Sequence, residues 1–434
     1  MRRSVVHVVA FLGAVAVVAA LIRNHVADPR VRHAGARRVV LRVANWGGPA
    51  VDPSLLKIER GIIRDFERAC PGTRVQIENI PGAGQYVPKL LMTYVAGNPP
   101  DLIHLDASSA AVFIDNGLLA DLAPWIQADP NFDLDAFFPN VVDIARRGER
   151  LYAIPLDFTP MVVLYNKRLF DAAGVAHPRA GWTRNEFLAA ARGLTVRESG
   201  EAAPSRYGFH FVNHMPFWFP WIQASGGDVL DPAGRRATGY LDSPRTVGAI
   251  RFLADMVRTH RVAPSLSQSA AAGVDLFRAE RAAMVMTGHW SLIEYRVDKL
   301  DIGVATIPSD AARRVTVMYE AGLAISRASR HKDLAWKYVK HMTSPGVQKR
   351  RVATGLAISA NRAVAESFAG TDVEDAFLAE VPFARRPWGS RVERYELVED
   401  LGREMMEDIL QGGVDVQEAA ARTARLIDVE LRRP

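Results

Sequence analysis

Val39-Val40-Leu41-Arg42-Val43-Ala44, ending at Asn45-Trp46-Gly47-Gly48-Pro49, is a short apolar run, β-branched at its start, and reads as a strand. A helix follows from about Ser54, with Leu55, Ile58, Ile62, Phe66 and Ala69 on one face at helical spacing. Pro71-Gly72 stops it, and Val75 and Ile77 alternate as a second strand. The loop Pro81-Gly82-Ala83-Gly84 leads into a helix over Tyr86–Val95. Pro99-Pro100 then breaks the chain before the strand Asp101-Leu102-Ile103-His104-Leu105. Strand, helix, strand, helix, strand with short connections implies right-handed crossovers and parallel pairing. The fold class is therefore α/β.

The same alternation continues. Tyr152–Asp157 and Met161–Tyr165 read as strands, as do Ala282–Thr287 and Asp301–Thr306. Thr183 with Glu186, and Asp415 with Glu418, have capping-box spacing. Ser243-Pro244 opens another helix with proline in its first turn. From His331 onward the pattern is mostly helical. Two α/β units with a helical tail account for the 434 residues.

The formal charge of +6 belongs to the leader. Residues 1–38 hold seven arginines and one acid, Asp28, which leaves 47 basic and 47 acidic side chains in the body. A nucleic-acid partner calls for a basic face on the folded body, so none is expected. Arg2-Arg3 precedes an apolar run from Ser4 to Ile22, long for a signal-peptide core and just sufficient to span a bilayer. A cleaved signal peptide and a retained membrane anchor both fit it. The five arginines from Arg23 to Arg38 favour a cytoplasmic side for that end and stand against export. The single cysteine, Cys70, excludes an intrachain disulfide and reads as a buried structural thiol.

The chain carries no phosphate loop, GxSxG elbow, HExxH or GxGxxG. Ser54-x-x-Lys57 and Ser329-x-x-Lys332 are chance-level matches to S-x-x-K, and His210 with His214 lacks a third metal ligand. No catalytic residue, metal or cofactor is expected. Aromatic and acidic residues at strand ends say more. Trp46, Asp106 and Trp290 stand where strands finish and Asp157 precedes the Met161 strand, and ligands of open α/β sheets gather outside the carboxyl ends of strands. The block Phe209–Trp221, with Trp218 and Trp221, is broken by prolines and is not expected to form a single helical stripe. Indole faces with carboxylates are what carbohydrate recognition needs. Trp125, Trp182 and Trp336 flank ordinary helices and are assigned to the core.

From Val39 to the C-terminus the sequence resembles the family 1 extracellular solute-binding proteins of ABC importers, the maltose and glycerol-phosphate-binding group. The resemblance rests on the order of several segments: Asn45-Trp46-Gly47, then Phe66–Gly72, then Asn98-Pro99-Pro100-Asp101-Leu102-Ile103 with Asn116-Gly117-Leu118-Leu119. Tyr152-Ala153-Ile154-Pro155, Leu164-Tyr165-Asn166-Lys167 and Trp182-Thr183-x-x-Glu186-Phe187 follow. Phe277 through Gly288-His289-Trp290, Ile302–Pro308 and Ser344-Pro345-Gly346 complete the series. His289 stands where the family commonly has proline, and Glu320-Ala321-Gly322 where it often has a glycine-rich segment.

The resemblance implies a two-lobed periplasmic-binding-protein fold of type II, with parallel or mixed sheets, flanking helices and three hinge crossovers near Ile154–Thr159, Thr306–Val317 and Ala357–Asn361. Residues 39–153 plus 310–358 form the first lobe on this reading, and 159–306 plus 362–434 the second. It implies a periplasmic, monomeric protein that binds a sugar and serves inner-membrane ABC permease subunits. Its ligand would lie near Trp46, Tyr86, Asp106, Asp157, Trp218, Trp221, Trp290, Glu320, Trp388 and Tyr395. Two other readings stay open: an anionic ligand or a tethered sensor, with Lys89, Arg386 and Arg391 as candidate anion contacts, and a glycosidase using Asp157 and Glu320.

Overall fold

The structure is a computed structural model that describes residues 38–46, 53–80, 83–200, 203–310 and 314–433. The apolar run at 4–22 lies outside them. Among the described residues no helix is long and apolar enough to cross a membrane.

Strands β1 (Val39–Asn45), β2 (Thr73–Asn79) and β3 (Leu102–Asp106) are joined by helices α1 (Pro53–Ala69) and α2 (Ala83–Val95), as the periodicity requires. β1 pairs in parallel with both neighbours, Leu41 opposite Val75 and Val43 opposite Leu102. Ile62 and Phe66 of α1 are buried, one turn apart on the face that meets the sheet. Tyr86 and Leu90 do the same for α2. Cys70 is half-buried rather than buried, because α1 ends there at the surface.

Beyond a small hairpin of β4 (Arg146–Arg147) and β5 (Arg150–Leu151) come β6 (Ala153–Pro160) and β7 (Val162–Asn166). Later strands are β8 (Met284–Thr287), β9 (Ile302–Ala305), β10 (Thr316–Ile325), β11 (Ile358–Ser359) and β12 (Ala384–Arg385). The main sheet runs β11-β6-β10-β3-β1-β2, with β12 beside β10. β10 is antiparallel to both β3 and β6, so the sheet is mixed. Two of the stretches expected to cross between lobes lie side by side, Phe158 pairing with Ile358, while on its other side Phe158 pairs with Glu320, just past the third stretch.

A second, antiparallel sheet has the order β8-β7-β9. Its side chains alternate between two cores, as period-2 geometry dictates. Val162, Leu164 and Val285 face the cluster that includes the main sheet. Met161, Val163, Tyr165, Met284 and Met286 face a second cluster. That second core is closed by helices α3 (Arg184–Leu194), α4 (Met215–Ala224), α5 (Pro244–Arg258), α6 (Tyr395–Leu410) and α7 (Val416–Leu431). Thr183 caps α3 with the full reciprocal pair: the Thr183 N–H donates to Glu186 Oε2 (2.7 Å), and the Glu186 N–H donates to Thr183 Oγ1 (3.2 Å). Asp415 caps α7 by accepting from the Gln417 and Glu418 amides.

The aromatic block Phe209–Trp221 is not a single helical stripe, since Phe209 and Phe211 precede the helix. Met215–Ala224 is one helix in spite of its prolines. Pro216 occupies the first turn, where its N–H has no intrahelical role, and Pro220 withholds a single hydrogen bond. All of its residues except Phe217 are buried, and a helix that is apolar all round belongs inside a core.

Candidate functional site

The carboxyl ends of β1 and β3 and the middle of β6 and β10 open onto one cavity of about 530 Å³. Trp46 and Asn45 enter it from β1, His104 and Asp106 from β3, Asp157, Phe158 and Thr159 from β6, and Tyr319, Glu320 and Ala321 from β10. Trp290, Ile293 and Glu294 form the facing wall. α1 supplies Ile58, Glu59 and Ile62, and the helix Pro345–Val352 supplies Gln348, Arg351 and Val352.

Each indole is held by its neighbours. The Trp46 ring meets Tyr86 edge-on at 5.5 Å and His104 at 5.4 Å. Tyr86 lies beneath it, nearly fully buried, and its hydroxyl donates to the carbonyls of His104 (2.8 Å) and Ala44 (3.3 Å). Tyr86 is thus a prop for Trp46 rather than a lining residue. Trp290 packs against Phe217 (6.3 Å) and Tyr319 (6.4 Å). A β-carbon on Gly288 would come within 2.4 Å of the Trp290 ring, so this ring position requires glycine there. His289 is buried, with its amide donating to Thr159 Oγ1 (2.8 Å) and its Nε2 2.9 Å from Glu374. His289 therefore ties the Trp290 turn to β6.

The cavity collects carboxylates. Asp106 and Asp157 are both partners of Ala321, on opposite flanks of β10. Two strand spacings put their backbones about 10 Å apart. Asp106 accepts from the amide of Ser108 (2.8 Å) and from its hydroxyl. Asp157 is bound by the Arg351 guanidinium at 2.6 Å. Glu320 is 3% exposed, and its Oε2 has no hydrogen-bond partner among the described residues. Burial pushes its carboxyl well above the usual carboxylate range, and Asp106 and Asp157 push it the same way. Burial also raises Asp106, against the opposing Ser108 bonds. On α6, Glu399 is pushed up to about 8 by burial and by Asp106, Glu396 and Asp400. His104 goes down to about 3, from burial first and Arg351 second, so it is neutral at physiological pH.

Five of the ten residues singled out in the sequence line this cavity: Trp46, Asp106, Asp157, Trp290 and Glu320. Four others lie in the second core and do not line it. Trp218 and Trp221 are buried on α4. Trp388 is 3% exposed and donates its Nε1–H to Asp228 (2.6 Å), while the Tyr395 hydroxyl donates to Met215 Sδ (3.4 Å). Aromaticity marked these four, but their elements turn them inward. Trp182 and Trp336 are buried as expected, whereas Trp125 is half-buried and donates to Asp333 (2.9 Å). Lys89, Arg386 and Arg391 are also outside the cavity lining; Arg391 lies over the Trp388 ring. The sequence reading missed Arg351, Tyr319 and Glu59. Arg351 ends the run Lys349-Arg350-Arg351, which looks like a solvated helix end. Ser329 of the S-x-x-K match has a structural role, donating to Asp101 at 2.6 Å.

Residues 52–349 match the family model of the bacterial extracellular solute-binding proteins. The chain belongs to this family. A maltotriose-binding protein of Pyrococcus abyssi is 23% identical over 299 residues, 68% of this chain and 61% of the relative. A multiple sugar-binding protein of Streptococcus mutans is 24% identical over 311 residues, covering 65% of this chain and 67% of the relative. The chain thus spans about three-fifths to two-thirds of the length of these curated relatives. An ABC substrate-binding protein of Listeria monocytogenes, solved in complex with cycloalternan, superposes with a TM-score of 0.81 at 22% identity, over 91% of this chain and 99% of that one. The maltose/maltodextrin-binding domain of Bdellovibrio bacteriovorus, bound to maltotriose, gives 0.75 at 18% identity over 91% and 100%. These likenesses establish the two-lobed α/β fold of the family.

Proposed function

We propose that this family member is the substrate-binding component of an ABC importer, exported to the periplasm, and that it captures a sugar or oligosaccharide between its lobes. The observation that carries the reading is the placing of two propped indoles, Trp46 and Trp290, with Asp106, Asp157 and Glu320 around one cavity. Sugar C–H faces lie on indoles, and sugar hydroxyls pair with carboxylates. The named ligands of relatives, maltotriose and multiple sugars, agree with it.

On this reading residues 39–153 with 310–358 form one lobe, and 159–306 with 362–434 the other. The adjacent stretches of β6, β10 and β11 act as hinges, and a ligand touching both walls stabilises the closed form. The bound solute passes unchanged to the permease. Arg351, a cavity cation, is committed to Asp157, which counts against a phosphate-bearing ligand and leaves Asp157 unsuited to nucleophilic attack.

A thermal-shift and calorimetry screen against mono- and oligosaccharides, polyols and sugar phosphates tests the proposal. A saturating ligand raises the melting midpoint by mass action. Heat and stabilisation with a sugar class are expected. No response to any carbohydrate would overturn the reading.

A further inference from the structure

We propose that the preferred ligand of this cleft is a carbohydrate carrying a protonated amine, with the ammonium seated between Glu320 and Asp106. The inference rests on the sugar-binding reading above and sharpens it to amino sugars.

Charge balance in the cavity is the first ground. Asp106, Asp157 and Glu320 meet there on three neighbouring strands, and Asp106 is near enough to Glu399 of α6 to push that carboxyl up. Arg351 already holds Asp157 at 2.6 Å, and His104 is neutral. Among the described residues Asp106 and Glu320 are left without a cation. Like-charged carboxylates in a partly dry site repel, and an opposite charge between them removes that cost. Burial and the neighbouring acids favour the protonated form of Glu320; an ammonium supplies three donors and the charge that lets the carboxyl ionise, which a sugar hydroxyl does not.

The second ground is independent of charge counting. Glu320 is 3% exposed, yet its Oε2 has no partner among the described residues, and the residue borders the cavity. A buried acceptor left unmade is costly, and this one awaits a donor from the ligand. Gly322 keeps Glu320 in place: a β-carbon there would fall 2.5 Å from Glu320 Oε1. Trp290 on the facing wall adds an aromatic face, which favours a cation as well as a sugar ring.

The test is calorimetry on the full chain with three sets of probes: short glucosamine oligomers, the same oligomers N-acetylated, and maltodextrins of equal length. Acetylation removes the charge and keeps the ring. The expected result is that the free-amine oligomers bind at least about tenfold tighter than their acetylated forms, the scale of one charge-assisted hydrogen bond. They should also bind tighter than the maltodextrins. Glu320→Gln should reduce the preference for the free-amine over the acetylated oligomers to under about threefold. Equal or tighter binding of the neutral sets overturns the amine proposal and leaves sugar binding standing. A Glu320→Gln protein that keeps the full preference also overturns the assignment to Glu320. Silence from all three sets overturns the amine proposal and, joined to silence across the wider carbohydrate screen, the sugar reading itself. The wild-type ratio decides the matter even where the variant folds poorly.

Discussion

Glu399→Gln should stabilise the protein at neutral and alkaline pH and do almost nothing in acid. Glu399 is held at about 8 against an ordinary 4.5, by burial first and then by Asp106, Glu396 and Asp400. Between these values the unfolded chain has released the proton and the folded chain keeps it, so the folded state binds more protons. Stability therefore falls as pH rises from about 4.5 to about 8 and is flat above. At about 1.4 kcal/mol for each pH unit the gap corresponds to roughly 5 kcal/mol. Glu399 is not wholly shielded from water, so about half of that is a fairer figure, on the order of 2–3 kcal/mol. Gln has the shape of the protonated acid and never ionises. Of the groups around the site, Asp400 is tied to Arg403 at 3.5 Å, while Tyr319 and Tyr395 stay protonated because burial raises both. Urea unfolding of both proteins at pH 5, 7 and 9 measures the difference. A gain of the variant over wild type that grows with pH and levels off above 8 is expected. A difference independent of pH would refute the claim that burial and the neighbouring acids keep this carboxyl protonated.

Trp290→Ala should weaken sugar binding by about tenfold or more, since an aromatic contact of this kind is worth roughly 0.5–1.5 kcal/mol beyond the area it covers. Isothermal calorimetry would read it. Gly288→Ala should reproduce most of that loss, because its β-carbon displaces the same ring, and the double variant should be little worse than either single one. Additive losses in that cycle would show that Gly288 acts elsewhere. Arg351→Met leaves the Asp157 carboxylate, 15% exposed, without its partner and should cost about 3 kcal/mol in urea unfolding at pH 7. Gly389→Ala would bring a β-carbon to 1.7 Å from the Ser108 carbonyl oxygen, lifting Trp388–Ser390 off its seat. The bond from Arg147 to the Ser390 carbonyl (2.6 Å) goes with it, and about 2 kcal/mol of stability should be lost. An unchanged unfolding midpoint would mean the segment docks there without energetic weight.

What was legible in the sequence was what local rules govern. The opening β1-α1-β2-α2-β3 succession rests on periodicity and proline-glycine stops, and its crossovers have only one favoured hand. The caps at Thr183 and Asp415 rest on contacts three residues apart. Trp46 and Asp106 line the cavity because the carboxyl end of a strand is a position in space as well as in sequence, whereas Asp157 reaches it from the middle of β6. The pairing of β10 with β3 joins Ala321 to Asp106, more than 200 residues apart, and no local pattern announces it.

Aromatic residues gave the weakest guidance, for a physical reason. An indole has one apolar face for a sugar and the same face for a neighbouring ring, so residue type does not separate binding from packing. Trp218 and Trp290 differ in what surrounds them: the first is on a helix apolar on every side, the second beside a glycine at the end of a strand. Glu320 is distinguished in another way. A carboxylate is expensive to bury, and aliphatic packing gives no reason to keep one beside Asp106 and Asp157. Its presence at 3% exposure, on the cavity wall and with an acceptor oxygen that has no partner among the described residues, is therefore a stronger pointer to a ligand than either indole.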